Sequence, residues 1–520
     1  MEIFTKLKCI KKIPIALWVF VAALLVLFRL YHESVRNVTS YRYYANFLIN
    51  VYWVFAVFLI LGLVVTAYLL YVKNISIYKA FLVVSSLIGA VYLFLTFNHT
   101  PDANVHFYSS YAMSNLLLGN PINTIRSIDK ESMSFFWRAE LIDYVELHSS
   151  LLGGAQQYEI IETHLSILHN RTPWLHFPGA VGIAIARLFR ASPTMLFFSA
   201  SLANLITFIV GVYFALKIIP FAKLLLFCIA LFPTTMSQAA SYNPDNVINI
   251  FGFLLIALIF HLANKQSNDE EINIKEIIFL CILAPLTAVS RVGTYLPMIG
   301  LLLMIFIARN KAGKMPRSHM LMYFAVPAIT IAVFIFSTLS SILWALPGDL
   351  YLPQDGGVSS RSLSHILSNP IETIIIALHS IVVQGELQLL GAVGIGKGFQ
   401  FFELPIRHIS LIFAFILLAV LSVQNIRINA KQRIIFSAVT FFTVAISYFA
   451  MFMIFTPTNA NEIHGVQGRY FTPILPLVFL LFAGIPWLQI KKDISRGIIT
   501  TLFSLQILMM INFFLVVIHR

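Results

Sequence analysis

Long apolar runs separated by short polar joints set the pattern of this chain. A membrane helix needs about 20 mostly apolar residues. Runs of roughly that kind lie at about 14–31, 45–72, 78–97, 193–216, 219–236, 244–264, 275–290, 294–309, 319–346, 405–424, 433–455, 470–490 and 497–518. The pattern predicts an all-α, polytopic membrane protein with about thirteen transmembrane helices. Lys6, Lys8, Lys11 and Lys12 precede the first run and no small-residue cleavage site follows it, which reads as an uncleaved signal anchor. Two long segments interrupt the alternation. The first, 98–192, holds one short apolar run at 174–190 that carries Arg187 and Arg190, and its amphipathic pattern predicts an interfacial or re-entrant helix that does not cross. The second starts as a polar loop near Pro347 and continues to Glu403 as an apolar stretch broken by His379, Glu386 and glycines; it is expected to lie along the interface. The chain thus divides into 1–97, 98–192, 193–346, 347–404 and 405–520.

Basic residues orient these runs, because Lys and Arg stay on the cytoplasmic side. The clusters Arg309/Lys311/Lys314/Arg317, Arg427/Lys431/Arg433 and Lys491/Lys492/Arg496 are expected inside. Counting from them and from the basic N-terminus puts 98–192 and 347–404 outside, with the N-terminus cytoplasmic and the C-terminus extracytoplasmic. Composition agrees with a membrane protein: 59% of residues are hydrophobic and 11% charged, against about 25% charged in soluble domains. A water-soluble enzyme and a disordered chain are both excluded. The net charge of +13 could suggest nucleic acid, but twenty of the 35 Lys+Arg and only six of the 22 Asp+Glu fall on the expected cytoplasmic side. The charge is therefore a topology signal, and no nucleic-acid partner is expected. Cys9, Cys228 and Cys281 form neither a disulfide framework nor a zinc spacing.

Polar residues at membrane depth are expensive and are functional candidates by default. Three clusters fall on the outer side. In the first, Asn98 to Phe107, Asp102 follows Pro101 where a helix leaves the bilayer. A carboxylate at a partly dry mouth suits a general base, whereas the plain alternative is an N-cap of the next helix. His99, Asp102 and His106 could instead hold a metal, but their spacing is irregular for one helix face. In the second cluster Asp245 opens an apolar helix, either as a cap or facing a cavity near the lone Arg291. In the third, Gln467, Arg469 and Tyr470 precede the twelfth run. The guanidinium fork of Arg469 fits phosphate, with snorkelling to lipid headgroups as the alternative.

These clusters also carry a resemblance. PDANVHFYSSYAMSNLLLGNP, LFPTTMSQAASYNPDNVINIFGFLL and QGRYFTPILPL resemble, in order, three motifs of a bacterial polytopic family of largely unassigned function. That family looks like a branch of the GT-C superfamily of membrane glycosyltransferases. The match covers about residues 80–490. It departs in two ways: the family's Glu after the Asp is Ala103 here, and the long external loop follows the third expected span and not the first.

The resemblance implies a GT-C-like fold with interfacial helices in a large extracytoplasmic loop. It implies a sugar donor on a polyprenyl phosphate, a cell-envelope glycan acceptor such as O-antigen or another part of lipopolysaccharide, and action in the bacterial inner membrane among its lipids. Asp102 would deprotonate the acceptor, with inversion at the anomeric carbon. Arg469, with Arg291 as a second candidate, would stabilise the phosphate leaving group. Asp245 would bind hydroxyls, and His106 would orient Asp102 or touch the phosphate. Gln467 and Tyr470 would complete the substrate site. No cofactor is expected, and a divalent metal has no support in the residue pattern. The alternative is a transporter or flippase of lipid-linked sugars, which favours internal repeats and paired broken helices; the sequence offers neither.

Overall fold

Apolar sequence folds here as helix after helix, because in lipid a helix satisfies its own backbone hydrogen bonds. The computed structural model describes residues 13–38, 42–96, 102–132, 150–151, 157–162, 172–291, 293–308, 317–343, 363–394, 414, 417, 420–421, 428–457, 459–484 and 493–518. The first helices are α1 Ile15–Val38, α2 Arg42–Tyr71 and α3 Ile77–Thr96. The insert follows with α4 Ala103–Leu118, β1 Thr124–Arg126, α5 Ser127–Glu131, β2 Ile160–Glu162 and α6 Phe177–Leu188, the last entered through a 3-10 turn Pro173–His176. Next come α7 Pro193–Ile218, α8 Lys223–Ala230, α9 Pro233–Ala239, α10 Asp245–Ser267 and α11 Ile274–Val289. After a 3-10 turn Leu296–Leu301 come α12 Leu302–Ile307, α13 Arg317–Leu343, α14 Leu363–Ser368, α15 Pro370–Val393 and α16 Ala430–Ile454. A 3-10 turn Gly468–Ile474 then leads into α17 Leu475–Leu480, and α18 Ser495–Ile518 closes the order.

Among the described residues, seven helices are long and apolar enough to cross a membrane. They fall within α2, α3, α7, α10, α13, α15 and α16, and four shorter apolar helices lie at Ile15–Val26, Leu296–Ile307, Gly468–Leu480 and Ser495–Met510. The chain is thus a mostly helical membrane protein, and the thirteen continuous spans expected from the apolar runs are not all present as such. The run at 219–236 is split into α8 and α9, because Pro233 starts a new helix after the turn at Leu231 and Phe232. The runs at 294–309 and 470–490 each begin as a 3-10 turn containing a proline. Broken helices are therefore present where the apolar runs alone read as continuous. Most of the run at 405–424 lies outside the described residues, as do the lysines at 6–12 and 491–492.

The segment 370–393, expected along the interface, is one continuous 24-residue helix, α15, that also meets the length and apolarity of a crossing helix. Its polar face joins the layer of the third sequence cluster. Ser380 Oγ accepts from the Ile463 amide at 2.8 Å. Gln384 Nε2 donates to Glu462 at 3.0 Å, and the Gly391 carbonyl accepts from Thr234 at 2.8 Å. Helix α6, in contrast, has 12 residues, or about 18 Å of rise, short of the roughly 30 Å hydrocarbon core.

Helix α10 is the axis of the bundle. In its apolar window 83% of residues are buried, against 17–50% in the other six, and it packs on α7, α11, α12 and the Gly468–Ile474 turn. Close helix approach relies on small residues, as is common in membranes. At Gly182 in α6, a Cβ would collide with the Ser199 carbonyl of α7. At Gly468, it would collide with the backbone of Gln388 and Ala392 in α15. The insert is fixed by a two-stranded antiparallel ladder pairing Ile125 with Ile161 and by a buried bidentate pair. Arg126 contacts both carboxylate oxygens of Asp129 at 2.5 and 2.8 Å, and Tyr111 donates to the same carboxylate at 3.0 Å. Arg126 also donates to the Ala191 carbonyl at 3.2 Å, which ties the insert to the start of α7.

Candidate functional site

The three sequence clusters converge at the N-terminus of α10. The chain breaks its helix after α8, turns through the prolines at 233 and 244, and restarts at Asp245. Around this break Thr234, Ser237, Gln238, Ser241, Asn243, Asp245, Asn246 and Asn249 are all buried. Irregular polar backbone at such a place is tolerated where it is buried in protein or lines a cavity. Asp245 is not a side-chain cap. Instead, its amide is held by Asn243 Oδ1 at 2.9 Å, and its carboxylate faces inward at 3% exposure. Oδ1 pairs with Arg291. Oδ2 accepts from Gln238 Nε2 at 3.4 Å, and Gln238 is itself held by Asn249 at 3.0 Å.

Arg291 arrives from the end of α11 in a left-handed backbone conformation (φ 49°), which is uncommon outside glycine and costs energy that functional sites often carry. Arg469 arrives from the 3-10 turn pressed against α15. Its side chain is 7% exposed, and Nε lies 3.3 Å from Asp245 Oδ2. That contact is close enough for an ion pair but out of line for a hydrogen bond, and Nε and Nη1 both lack an acceptor among the described residues. Nη2 stands 3.9 Å from Asp102, beyond hydrogen-bond reach. Among the described residues, a buried guanidinium with five N–H donors thus meets its carboxylates as ion pairs, without a side-chain hydrogen bond. Snorkelling, the plain alternative for this residue, is not what the geometry shows: the guanidinium is turned into the protein.

Tyr470 lies against both cations, with its ring centre 3.6 Å from Arg291 Cζ and 5.6 Å from Arg469 Cζ, within cation–π range. Tyr295 holds the backbone of this residue by donating to the Tyr470 carbonyl at 2.8 Å. Gln467 gives its carbonyl to the Tyr470 amide at 3.0 Å, but its side chain takes no part in the cluster's hydrogen bonds among the described residues.

Asp102 sits at the mouth of this arrangement. Its backbone is left-handed (φ 57°) and its side chain does not cap α4, so the capping alternative fails. The partly dry setting expected for it also fails, since its side chain is 65% exposed. His106, one turn into α4, was expected to orient Asp102 or contact a phosphate. Its Nδ1 lies instead 3.3 Å from Nε2 of His176, a residue that sequence reasoning missed. Burial pushes His106 well below its ordinary value, with His176, Arg469 and Arg291 adding to the effect. Burial pushes His176 down to about 4. Both rings are therefore neutral at pH 7, one donating to the other. His99 lies outside the described residues, and among the described residues no group of three or more His, Cys, Asp or Glu side chains could hold a metal ion.

The fold and this cluster define a helical membrane protein with a charged site buried at helix breaks. Residues 156–478 match the family described as a predicted membrane protein, DUF2142, and the chain belongs to that family. No curated protein and no solved structure matches it.

Two outcomes follow from the site's charges. Asp245→Asn leaves one buried and one largely covered guanidinium without their shared carboxylate and should cost about 3–5 kcal/mol. Asp102→Asn, at an exposed position, should cost no more than about 1 kcal/mol. Thermal unfolding of the full chain in nanodiscs compares them; equal losses would contradict the assignment of Asp245 as the hub. The histidine pair sets a pH dependence. Because its folded-state values lie below the ordinary 6.5, protonation favours the unfolded chain, so stability should fall as pH drops from 6.5 toward 4. His176→Asn should flatten that slope, and an unchanged slope would remove the pair as its cause.

Proposed function

We propose that this protein is a GT-C-type membrane glycosyltransferase. It transfers a sugar from a polyprenyl-phosphate-linked donor to a cell-envelope glycan, such as O-antigen, at the extracytoplasmic face of the bacterial inner membrane. The observation that carries this reading is the Arg469 guanidinium: buried, held between two carboxylates, and short of hydrogen-bond acceptors among the described residues. Unmet buried donors require a partner, and a guanidinium fork fits phosphate. On this reading about thirteen crossings form, the shorter ones from broken helices, with the N-terminus cytoplasmic and the C-terminus extracytoplasmic.

The positions support the following chemistry. The acceptor hydroxyl oxygen attacks the anomeric carbon, and the bond from that carbon to the phosphate oxygen breaks with inversion. Asp102, exposed at the mouth, takes the hydroxyl proton. The electron pair leaves with the phosphate, and Arg469 stabilises the growing charge where water is excluded. Tyr470 packs against Arg469, and Asp245 neutralises the pair of cations when no phosphate is bound. Asp245 is engaged by Arg291 and Gln238, so it anchors the site and is not itself free for sugar hydroxyls.

The broken helices favour a second reading, a flippase of lipid-linked sugars, because transporters build midplane sites from such breaks. One experiment separates them. The purified full chain is given polyprenyl-phosphate-linked sugars and candidate glycans in sealed vesicles. The transferase reading expects free polyprenyl phosphate released in step with glycan modification, with at least about a hundredfold loss in Arg469→Ala and a comparable loss in Asp102→Asn. Passage of the intact lipid-linked sugar across the bilayer without glycan modification would replace it with the flippase.

A further inference from the structure

A second polar group lies beside the arginine site, where α15 and α16 meet the segment leading to Gly468. Its members form a chain of hydrogen bonds that all run one way. Tyr448 donates to Gln388 Oε1, Gln388 Nε2 donates to Gln384 Oε1 at 3.4 Å, and Gln384 Nε2 donates to Glu462 Oε2 at 3.0 Å and to the Ile463 carbonyl at 3.1 Å. Ser380 Oγ anchors the same stretch through the Ile463 amide. The donors end on Glu462, a half-buried carboxylate that no Lys, Arg or His pairs with among the described residues.

Two physical points make this more than packing. First, an amide pair stands on a helix whose outer face is isoleucine, leucine and valine, with Ile371, Ile374 and Val382 exposed, and it meets a carboxylate from the neighbouring segment. Polar groups at such a place are costly and are candidates for function by default. Second, the chain is saturated at its Tyr448 end and open at its Glu462 end. A carboxylate offers about four acceptor sites, and Gln384 fills one. What remains is a set of acceptors beside amide groups, the chemistry that recognises vicinal hydroxyls.

Its place relative to Arg469 is fixed by Gly468. That residue is seated directly on the backbone of Gln388 and Ala392, so the ladder starts at the neighbour of Arg469. It rises from Gln388 to Gln384 by about 6 Å, at roughly 1.5 Å per residue. That is the scale of one sugar ring beyond a phosphate held by Arg469.

We propose that Glu462, set by Gln384, Gln388 and Tyr448, is a hydroxyl-binding subsite for the hexose of a lipid-linked sugar phosphate. The subsite rests on the phosphate reading of Arg469 and adds to it the part of the ligand that site does not touch. The test uses the full chain in nanodiscs and two probes, undecaprenyl phosphate and undecaprenyl-phosphate-linked glucose, with affinities read by competition. Glu462→Gln and Gln384→Ala should each weaken binding of the glucose-bearing lipid about tenfold, as loss of a hydrogen bond to a charged group does. Affinity for undecaprenyl phosphate should stay unchanged, which also shows that the variants fold. If both lipids bind wild type and the variants shift neither or shift both alike, the subsite is overturned while the phosphate site stands. If wild type binds neither lipid, the phosphate reading fails and the subsite fails with it.

Discussion

One buried carboxylate holds two guanidinium groups, and the rest of the site is arranged around that constraint. Asp245 pairs with Arg291 on one oxygen and faces Arg469 on the other. Charges out of water are tolerated only when paired and hydrogen-bonded, so this triad fixes where three distant parts of the chain must meet. The end of α11 brings Arg291, the Gly468–Ile474 turn brings Arg469, and the restart of the helix at α10 brings Asp245. Tyr470 packs against both cations, which lets them lie near each other. Among the described residues Arg469 remains incompletely satisfied, and that shortfall is the physical basis of the functional reading.

The broken helices serve the same end. A continuous helix at 219–236 would have buried its own backbone and offered no polar surface. Pro233 ends that continuity, and Pro244 precedes the restart. The ten residues between them are all buried and include Thr234, Gln238 and Asn243. Gly468 completes the assembly by letting the arginine-bearing turn sit on the backbone of α15.

Much of this was legible in the sequence, and the reasons for the rest are specific. Asp102, Asp245, Arg291, Arg469 and Tyr470 stand out as polar residues flanking apolar runs, and they do meet at one place. Hydropathy reports apolarity but not helix continuity, so it could not show that the runs at 219–236 and 470–490 break at prolines. His176 was hidden because it sits in a run read for its amphipathic pattern alone. The sequence WLHFP, with a histidine just before a proline-started helix, was the available signal. The Gln384–Glu462 contact depends on tertiary approach, and a separation of 78 residues leaves no local trace. Asp102 was legible as a candidate, but neither its exposure nor its left-handed backbone was.

The central claim is that Arg469 is held ready for a phosphate. The most direct measurement is a structure of the full chain in nanodiscs with undecaprenyl phosphate. The account predicts the phosphate within hydrogen-bond distance of the Arg469 guanidinium, beside Asp102 at the mouth of the site. A phosphate bound elsewhere, with Arg469 still enclosed by Asp102 and Asp245, would contradict it.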